Sequence, residues 1–322
     1  LSYNKVIAKD HNVTLLAGAS YNNDKIESSV IRSNGGYSSY VITTLNAANG
    51  ITGNSTETKN VLLSYFGRLQ YSFKDRYLFS ASIRRDGSSR FGSNTKWGTF
   101  PSASLGWRVS EENFFKSLNV GFLNDLKFRA SWGKSGNYNI GDYSSIPVLA
   151  VYNYTFNSAL ATGQAPSAST NPDITWEESK TFDTGFDVAF LKNRITGSFD
   201  IYSKLNYNLL LNVPIPETTG FATSLSNVGK VRNRGWEVEL SSRNLVNKFQ
   251  WTTNFNLSHN ANKVLALGRG QTQILIPSAF DISHSILKIG EQMNSIYVVK
   301  QIGILSAEDV ANKVPMYGNQ SE

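Results

Sequence analysis

Between residues 181 and 202 the chain carries two runs in which apolar and polar residues alternate. Side chains of a β-strand point alternately to opposite faces, so each run predicts a strand with one apolar and one polar face. Each run is also long enough to cross a bilayer as a tilted strand, for which about 9–11 residues suffice. A soluble hairpin with one buried face has the same alternation. This pair of strands therefore leaves both a membrane hairpin and a soluble hairpin open.

The same period of two recurs along the chain and predicts about nine antiparallel strands. They cover residues 13–21, 63–73, 77–84, 101–109, 126–132, 182–190, 195–209, 236–240 and 249–257. Long polar connections are expected at 22–60, 86–97, 133–179 and 212–229, and a short helix around 111–115. The segment 296–305 is taken as loop-associated, because Lys300 falls on the face of its apolar residues.

Three features of this pattern favour a membrane barrel over a soluble β-sandwich. Long and short connections follow one another as in outer-membrane barrels, which have short periplasmic turns and long extracellular loops. Aromatic residues gather at the short-turn ends, as expected for an interfacial girdle. Charged residues in the strand centres all fall on the polar face, whereas a cation on the lipid face would be costly. The girdle residues are Tyr71, Phe73, Tyr77, Trp107, Phe190, Phe249 and Trp251.

Composition narrows the remaining possibilities. Of the 322 residues, 40% are hydrophobic, but the longest apolar runs are too short for a transmembrane helix. There is no cysteine, which excludes disulfides, thiol catalysis and thiolate metal sites. The net charge of +7 comes from scattered basic residues, so no nucleic-acid partner is expected. The chain begins at Leu1 without a signal peptide and stops in a polar stretch, which predicts a fragment of a longer protein.

Several short motifs occur in an order and spacing that resemble one membrane-protein family. They are RDGSSRFG at 85–92, FPS at 100–102, GWR at 106–108, LKFRASWG at 126–133, GN at 136–137, NPD at 171–173, WE at 176–177, FLKNRI at 190–195, TGF at 219–221, NVG at 227–229 and NRGWE at 233–237. From about Val13 onward the chain thereby resembles the SusC/RagA class of TonB-dependent outer-membrane transporters.

That resemblance implies a 22-stranded barrel with an N-terminal plug in a Bacteroidota outer membrane. It also implies a SusD-like surface lipoprotein as cap, TonB as energy source acting through the absent N-terminal part, and an oligosaccharide or peptide as nutrient. Residues 1–322 would then form the middle-to-late barrel wall, without the plug and closing strands. An open sheet edge cannot face hydrocarbon, so the rest of the wall is expected outside this sequence. We expect no transport by this part alone.

Two sets of candidate functional residues follow. Polar-face charges are expected to line the lumen, with the basic ones either pairing with carboxylates of the plug or guiding an anionic substrate. Aromatic residues of the long loop 133–179 are expected to stack on sugars, contact the lipoprotein or pack the loop on itself. The first set is Arg68, Arg84, Arg108, Lys127, Arg129, Asp183, Asp187, Asp200, Glu237 and Glu239; the second is Tyr138, Tyr143, Tyr152 and Tyr154.

No pattern predicts an enzyme, a metal site or a cofactor. His11, His259 and His284 lack the spacing of metal ligands, and Asp173, Glu177 and Glu178 lack that of a calcium loop. No Gly-x-Ser-x-Gly elbow occurs. The expected function is therefore nutrient import across the outer membrane. The alternatives are a structural or adhesive barrel without transport, and a soluble β-sandwich that binds a ligand.

Overall fold

In the computed structural model, residues 1–37, 40–42, 44–118, 120–268, 270–277, 283–298 and 308 are described. The chain is almost entirely β-structure, and one antiparallel sheet of ten strands forms a continuous wall. The wall contains, in spatial order, β1 (Ser2–Ile7), β2 (His11–Tyr37), β3 (Ala48–Phe73), β4 (Tyr77–Ser88), β5 (Trp97–Arg108), β6 (Leu123–Asn137), β9 (Glu177–Phe190), β10 (Ile195–Pro214), β11 (Thr223–Val246) and β12 (Gln250–Ala266).

Two smaller sheets and a few helical turns complete the described structure. Strands β7 (Leu149–Phe156) and β8 (Ala159–Pro166) form a separate hairpin, and β13 (Gln273–Pro277), β14 (Ser283–Lys288) and β15 (Ser295–Ile296) form a third sheet. The five-residue helix α1 (Asn113–Ser117) confirms the short helix expected near 111–115. Short 3-10 turns lie at Leu45–Ala47, Val109–Glu111 and Glu217–Thr219. Among the described residues, no helix is long and apolar enough to span a membrane.

The strand register gives the wall two chemically different faces. Residues paired across an antiparallel ladder project to the same side, so one ladder row identifies one face. One such row consists of Phe128, Phe186, Phe199 and Val238. The side of the wall on which these residues lie is the apolar face. The rings of Phe128 and Phe186 lie 6.2 Å apart and those of Phe186 and Phe199 5.7 Å apart. The next row is Arg129, Gly185, Asp200 and Glu237, and its side defines the polar face.

Large hydrophobic side chains remain exposed along the apolar face. Phe182 is 51% exposed, and Trp132, Ile201 and Leu240 are also exposed on this side. A soluble protein would cover such a surface, and a barrel presents it to lipid. The alternative of a soluble β-sandwich is therefore wrong. The nine expected strands are confirmed, with β1 as a tenth strand that the sequence pattern missed. The alternation of short turns with long connections holds except at 109–122, which lies at the short-turn end and is longer than the connection 89–96 at the other end.

The expected long loops are wrong in one respect, because much of their length is strand. Residues 22–60 were expected as a polar connection, but β2 and β3 stay paired as far as Tyr37 and Ala48. Residues 133–179 include the end of β6, the β7–β8 hairpin and the start of β9, and β10 and β11 extend into 212–229. Beyond the membrane both faces of a strand meet water, so these segments keep their backbone ladder without apolar alternation.

A small buried cluster joins the connections at the long-loop end of the wall. It contains Phe91, Phe100, Ile174 and Trp176, and the Trp176 indole donates a hydrogen bond to the Lys96 carbonyl at 3.0 Å. At the opposite end the turns are tight. There Glu112 accepts hydrogen bonds from Tyr77 and Trp107 and lies 3.3 Å from the Arg76 guanidinium, and these contacts hold its pKa below its usual range.

Of the segment 296–305, Ile296 ends β15 and residues 299–305 lie outside the described residues.

Candidate functional site

All ten charged residues predicted to share a face do so. Their ladder partners connect them across the wall from β3 to β11, because Arg68 pairs with Ser82, Arg108 with Lys127, and Lys127 with Asp187. The basic members lie on β3, β4, β5 and β6, and the acidic members lie on β9, β10 and β11. The ten predicted charges of the polar face are therefore basic on one side and acidic on the other, although Asp86 and Asp125 lie among the basic members and Lys204 among the acidic ones. The two halves meet where β6 pairs with β9.

A central charge cluster, defined as Lys127, Arg129, Asp187 and Asp200, occupies that boundary. The Arg129 guanidinium lies 2.9 Å from Asp187 Oδ1 and 3.0 Å from Asp200 Oδ2. Lys127 Nζ lies 3.5 Å from Asp187 Oδ2. One guanidinium thus holds two carboxylates from two different strands, a geometry that the planar fork of arginine suits better than lysine does. Asp200 Oδ1 is buried without a hydrogen-bond partner.

Gly185 makes the longer of these contacts possible. In the ladder it lies between Arg129 on β6 and Asp200 on β10, so the guanidinium must cross β9 at this position to reach Asp200. A Cβ atom at Gly185 would come within 2.2 Å of Asp200 Oδ1 and 2.3 Å of the Phe199 carbonyl. The missing side chain therefore leaves the space in which the Asp200 carboxylate lies over β9, within reach of Arg129. The sequence alone does not indicate a role for Gly185, because the space that this glycine leaves is defined by the register of three strands.

The remaining basic members differ in their partners. Arg84 pairs with Asp86 at 2.7 Å and donates to the Ser64 hydroxyl at 2.8 Å. Arg108 lies 3.8 Å from Asp125. Arg68 has no hydrogen bond or ion pair within the described residues. The wall itself therefore supplies carboxylates for four of the five expected cations, and pairing with a plug stays a prediction that concerns Arg68 most directly.

Three of the expected carboxylates have no basic partner in the described part of the chain. Asp183, Glu237 and Glu239 make no ion pair there, although Glu237 lies in the same ladder row as Asp200. Ion pairs of these predicted carboxylates are confined to Asp187 and Asp200, both of which bind basic side chains of β6. The acidic half of the polar face thus carries more negative charge than its own strands balance.

The four loop aromatics divide into two pairs. Tyr138 packs with its ring centre 5.7 Å from that of Trp176 and beneath the Arg90 guanidinium, so it belongs to the buried loop cluster. The Tyr143 hydroxyl accepts a hydrogen bond from the Lys59 backbone N–H at 3.1 Å, which ties the loop to β3. Tyr152 and Tyr154 lie on β7 and are 51% and 53% exposed.

The β7–β8 hairpin presents an aromatic surface without charge. Tyr152, Tyr154 and Phe156 share one of its faces, and their ladder partners are the small residues Gly163, Ala161 and Ala159. A Cβ atom at Gly163 would lie 3.1 Å from the Tyr154 ring, so the ring extends over the neighbouring strand. No charged residue occurs between positions 143 and 172. Such a surface suits stacking on a neutral ligand better than ionic recognition.

The histidines and carboxylates that were considered as metal ligands mostly contact other side chains or the backbone of this chain. His11 Nδ1 lies 2.7 Å from the Tyr71 hydroxyl, and His259 packs on Trp236. The side chain of His284 lies outside the described residues. Glu177 accepts hydrogen bonds from Asn137 and from the Leu210 backbone. Over the part of the chain that the structure describes, no three His, Asp or Glu side chains come together in an arrangement that could hold a metal ion.

Comparison with known proteins gives a consistent family. Residues 2–275 match the family described as TonB dependent receptor-like, beta-barrel. The chain is 40% identical over 311 residues to a TonB-dependent receptor of Formosa agariphila, which covers 96% of this chain and 29% of that protein. It is 40% identical over 259 residues to TonB-dependent receptor SusC of Bacteroides thetaiotaomicron, covering 76% of this chain and 26% of that protein.

A solved structure agrees with this family. The RagAB peptide transporter superposes with a TM-score of 0.82 at 28% identity, over 94% of this chain and 33% of the transporter chain. The chain therefore spans about a third or less of the proteins that it matches. Both the motif-based resemblance and the wall architecture are confirmed. This chain belongs to the TonB-dependent receptor-like β-barrel family and forms part of a SusC/RagA-type barrel wall of the outer membrane.

Proposed function

We propose that this chain is part of the wall of a nutrient importer that works with a SusD-like surface lipoprotein and draws its energy from TonB. The observation that carries the proposal is the division of the wall into an exposed apolar face and an ion-paired polar face over ten strands. In a barrel, the apolar face meets lipid and the polar face lines the lumen. The similarity to TonB-dependent receptor SusC and to the RagAB peptide transporter supports the proposal.

In the proposed mechanism, the residues of this chain guide and position and do no covalent chemistry. Substrate would first meet the long-loop end, where Tyr152 and Tyr154 expose their rings on the β7–β8 hairpin. Displacement of the plug by TonB would then open a path along the polar face. There the unbalanced carboxylates Asp183, Glu237 and Glu239 would face basic side chains of the plug. The central charge cluster would keep β6, β9 and β10 in register while the plug moves.

The uncharged aromatic hairpin favours a neutral oligosaccharide or a neutral stretch of peptide as substrate. Aromatic rings offer flat apolar surfaces with a polar tip, which suits the faces of sugar rings and of peptide groups. A strongly anionic substrate would find no basic side chain between positions 143 and 172. Oligosaccharides and peptides are therefore the two classes that a test must include.

The test deletes the full gene in its own bacterium and compares growth on panels of oligosaccharides and of peptides as sole nutrients. We expect growth to be lost on one class and restored by the wild-type gene. The Tyr152→Ala/Tyr154→Ala variant should restore growth at least fivefold less well at limiting substrate, because the exposed rings are removed. Tyr143→Phe is the matched control, since it keeps a ring in the same loop.

Two results would contradict the proposal. Normal growth of the deletion strain on every oligosaccharide and peptide, together with loss of surface attachment, would favour the adhesive alternative. Purification of the tagged full-length protein without any lipoprotein, under conditions that keep outer-membrane complexes intact, would remove the lipoprotein partner from the proposal.

A further inference from the structure

Four basic residues form a patch on the apolar face, close to the long-loop end of the wall. We define the basic patch as Lys180, Arg232, Arg234 and Lys263. Lys180 pairs with Leu205, Leu205 with Arg232, and Arg232 with Lys263, so three of these cations share one ladder row across β9 to β12. Arg234 lies two residues nearer the short turns on β11. Sequence analysis placed the strand-centre charges on the polar face and did not consider this row.

The burial of neighbouring residues fixes the side to which the patch points. Val231 and Val264, which precede Arg232 and follow Lys263, are buried against Ile274 and Leu287 of the β13–β14 hairpin. Because side chains alternate along a strand, Arg232 and Lys263 point to the opposite side of the wall. Further along β11 on that side follow Trp236, Val238 and Leu240, which belong to the apolar face.

The patch lies at the height where the apolar face should end. In the ladder it is ten residues from Ile195, where β10 begins after its short turn. Ten residues of strand extend about 33 Å, and a strand tilted by about 40° then climbs about 25 Å. That is the height of the apolar band of an outer-membrane barrel. The ring pair of Trp236 and His259 lies directly below, as tryptophan does at a membrane interface.

The patch lacks anionic partners of its own. None of its four members makes an ion pair within the described residues, whereas Lys127, Arg129, Arg84 and Arg108 on the polar face all do. The carboxylate Glu178, two residues from Lys180 on the same side of the wall, is already ion-paired with Lys134 of β6 at 2.5 Å. Lys180, Arg234 and Lys263 are exposed, and Lys180 Nζ lies 4.8 Å from the centre of the Tyr207 ring. Four cations this close repel one another unless an anion lies between them.

We propose that the basic patch binds phosphate groups of lipid headgroups in the outer leaflet of the outer membrane. At the upper border of the apolar face, the surroundings of these side chains are headgroups. Guanidinium groups bind phosphate through paired hydrogen bonds, and long basic side chains near strand ends extend to the interface. Charge, height and the side of the wall thus all point to an anionic lipid as the occupant.

The test measures binding of diphosphoryl lipid A to the full-length protein in neutral detergent, by native mass spectrometry. The patch variant is Arg232→Gln/Arg234→Gln/Lys263→Gln. The control is Lys204→Gln, which removes an exposed cation at the same height on the opposite face, since its neighbours Ser203 and Leu205 pair with Arg234 and Arg232. We expect the patch variant to bind diphosphoryl lipid A at least fivefold more weakly and the control to bind it as the wild type does.

Dephosphorylated lipid A distinguishes phosphate recognition from contact with acyl chains, and we expect the patch variant and wild type to bind it equally. The proposal is overturned if the patch variant retains its binding of diphosphoryl lipid A, or loses both lipids to the same extent. Unchanged lipid binding with loss of a co-purifying protein would instead assign the patch to a protein partner. If the triple variant fails to assemble, binding of the two lipids is measured for the single variants Arg234→Gln and Lys263→Gln, whose side chains are both exposed.

Discussion

At the scale of single residues, Arg129 determines how three strands are joined on the polar face. Its guanidinium reaches past Gly185 to carboxylates on β9 and β10, so one side chain pairs with two carboxylates. These two ion pairs add to the backbone hydrogen bonds between the strands. They disfavour a shifted strand register, because a shift by one residue would move the charges to the apolar face.

Replacement of Arg129 by alanine tests this role. We expect Arg129→Ala to lower the free energy of unfolding by about 1–2 kcal/mol, because Asp187 and Asp200 lose their shared partner while remaining partly exposed to water. Urea unfolding of the full-length protein in lipid vesicles measures the change. Arg68→Ala is the control, since Arg68 has no partner in the described residues, and an equal loss in both variants would contradict the role assigned to the cluster.

At the scale of elements, each wall strand has one apolar face suited to lipid and one polar face suited to water. β10 places Phe199 on the apolar face and Ser198 on the polar face, one residue apart. The β7–β8 hairpin departs from this design, because both of its faces are exposed and it has no partner sheet in the described structure. An isolated two-stranded hairpin is only marginally stable in water.

Arginine substitutions at the two adjacent positions of β10 test the assignment of faces. Phe199→Arg should disfavour folding by about 2–4 kcal/mol, the cost of a cation on the lipid face near the membrane centre. Ser198→Arg should fold normally, because position 198 pairs with Asp187 on the polar face. The heat-modifiable fraction of full-length protein in isolated outer membranes gives the readout. Equal assembly of the two variants would refute the facing.

At the scale of the whole molecule, the described residues form an open wall. Among them β1 has no strand beyond it, and β12 has additional backbone hydrogen bonds only at Val264, which accepts from the Gly290 N–H and donates to the Glu291 carbonyl. Unpaired N–H and C=O groups of such edges cannot face hydrocarbon without a large cost. Among the ten predicted charges of the polar face, the acidic ones lie on β9 to β11 and three of them have no basic partner within the described residues.

A comparison of residues 1–322 alone with the full-length protein tests this dependence on the remaining wall. Expressed alone with an export signal, the fragment should give no heat-modifiable band in outer membranes, because its edge strands stay unpaired. The full-length protein should give such a band. A heat-modifiable, protease-resistant species formed by the fragment would show that its copies can close a barrel among themselves.

The sequence by itself determined the strands that cross the membrane, their facing and the family. Alternation with period two is imposed wherever one face meets lipid and the other water, so it is visible without any structure. It did not reveal β1, because this strand has only six residues and places Lys5 opposite Val13, which breaks the alternation. It did not reveal the extensions of β2 and β3, because a strand with two wet faces needs no apolar period. The alternation likewise predicts that the ten charged residues share the polar face, but it does not predict which of them form ion pairs.

Only the tertiary structure decided which residues act together. The bond of Arg129 to Asp187 and Asp200 depends on the register of three strands that are up to 71 residues apart in sequence. The basic patch depends on the same kind of information, since Lys180 and Lys263 are joined by ladder rows and not by proximity in the chain. Tyr138 and Tyr152 belong to the same long connection, yet one is packed beneath Arg90 and the other is exposed. Alternation specifies the face of each side chain, and strand pairing decides its neighbours.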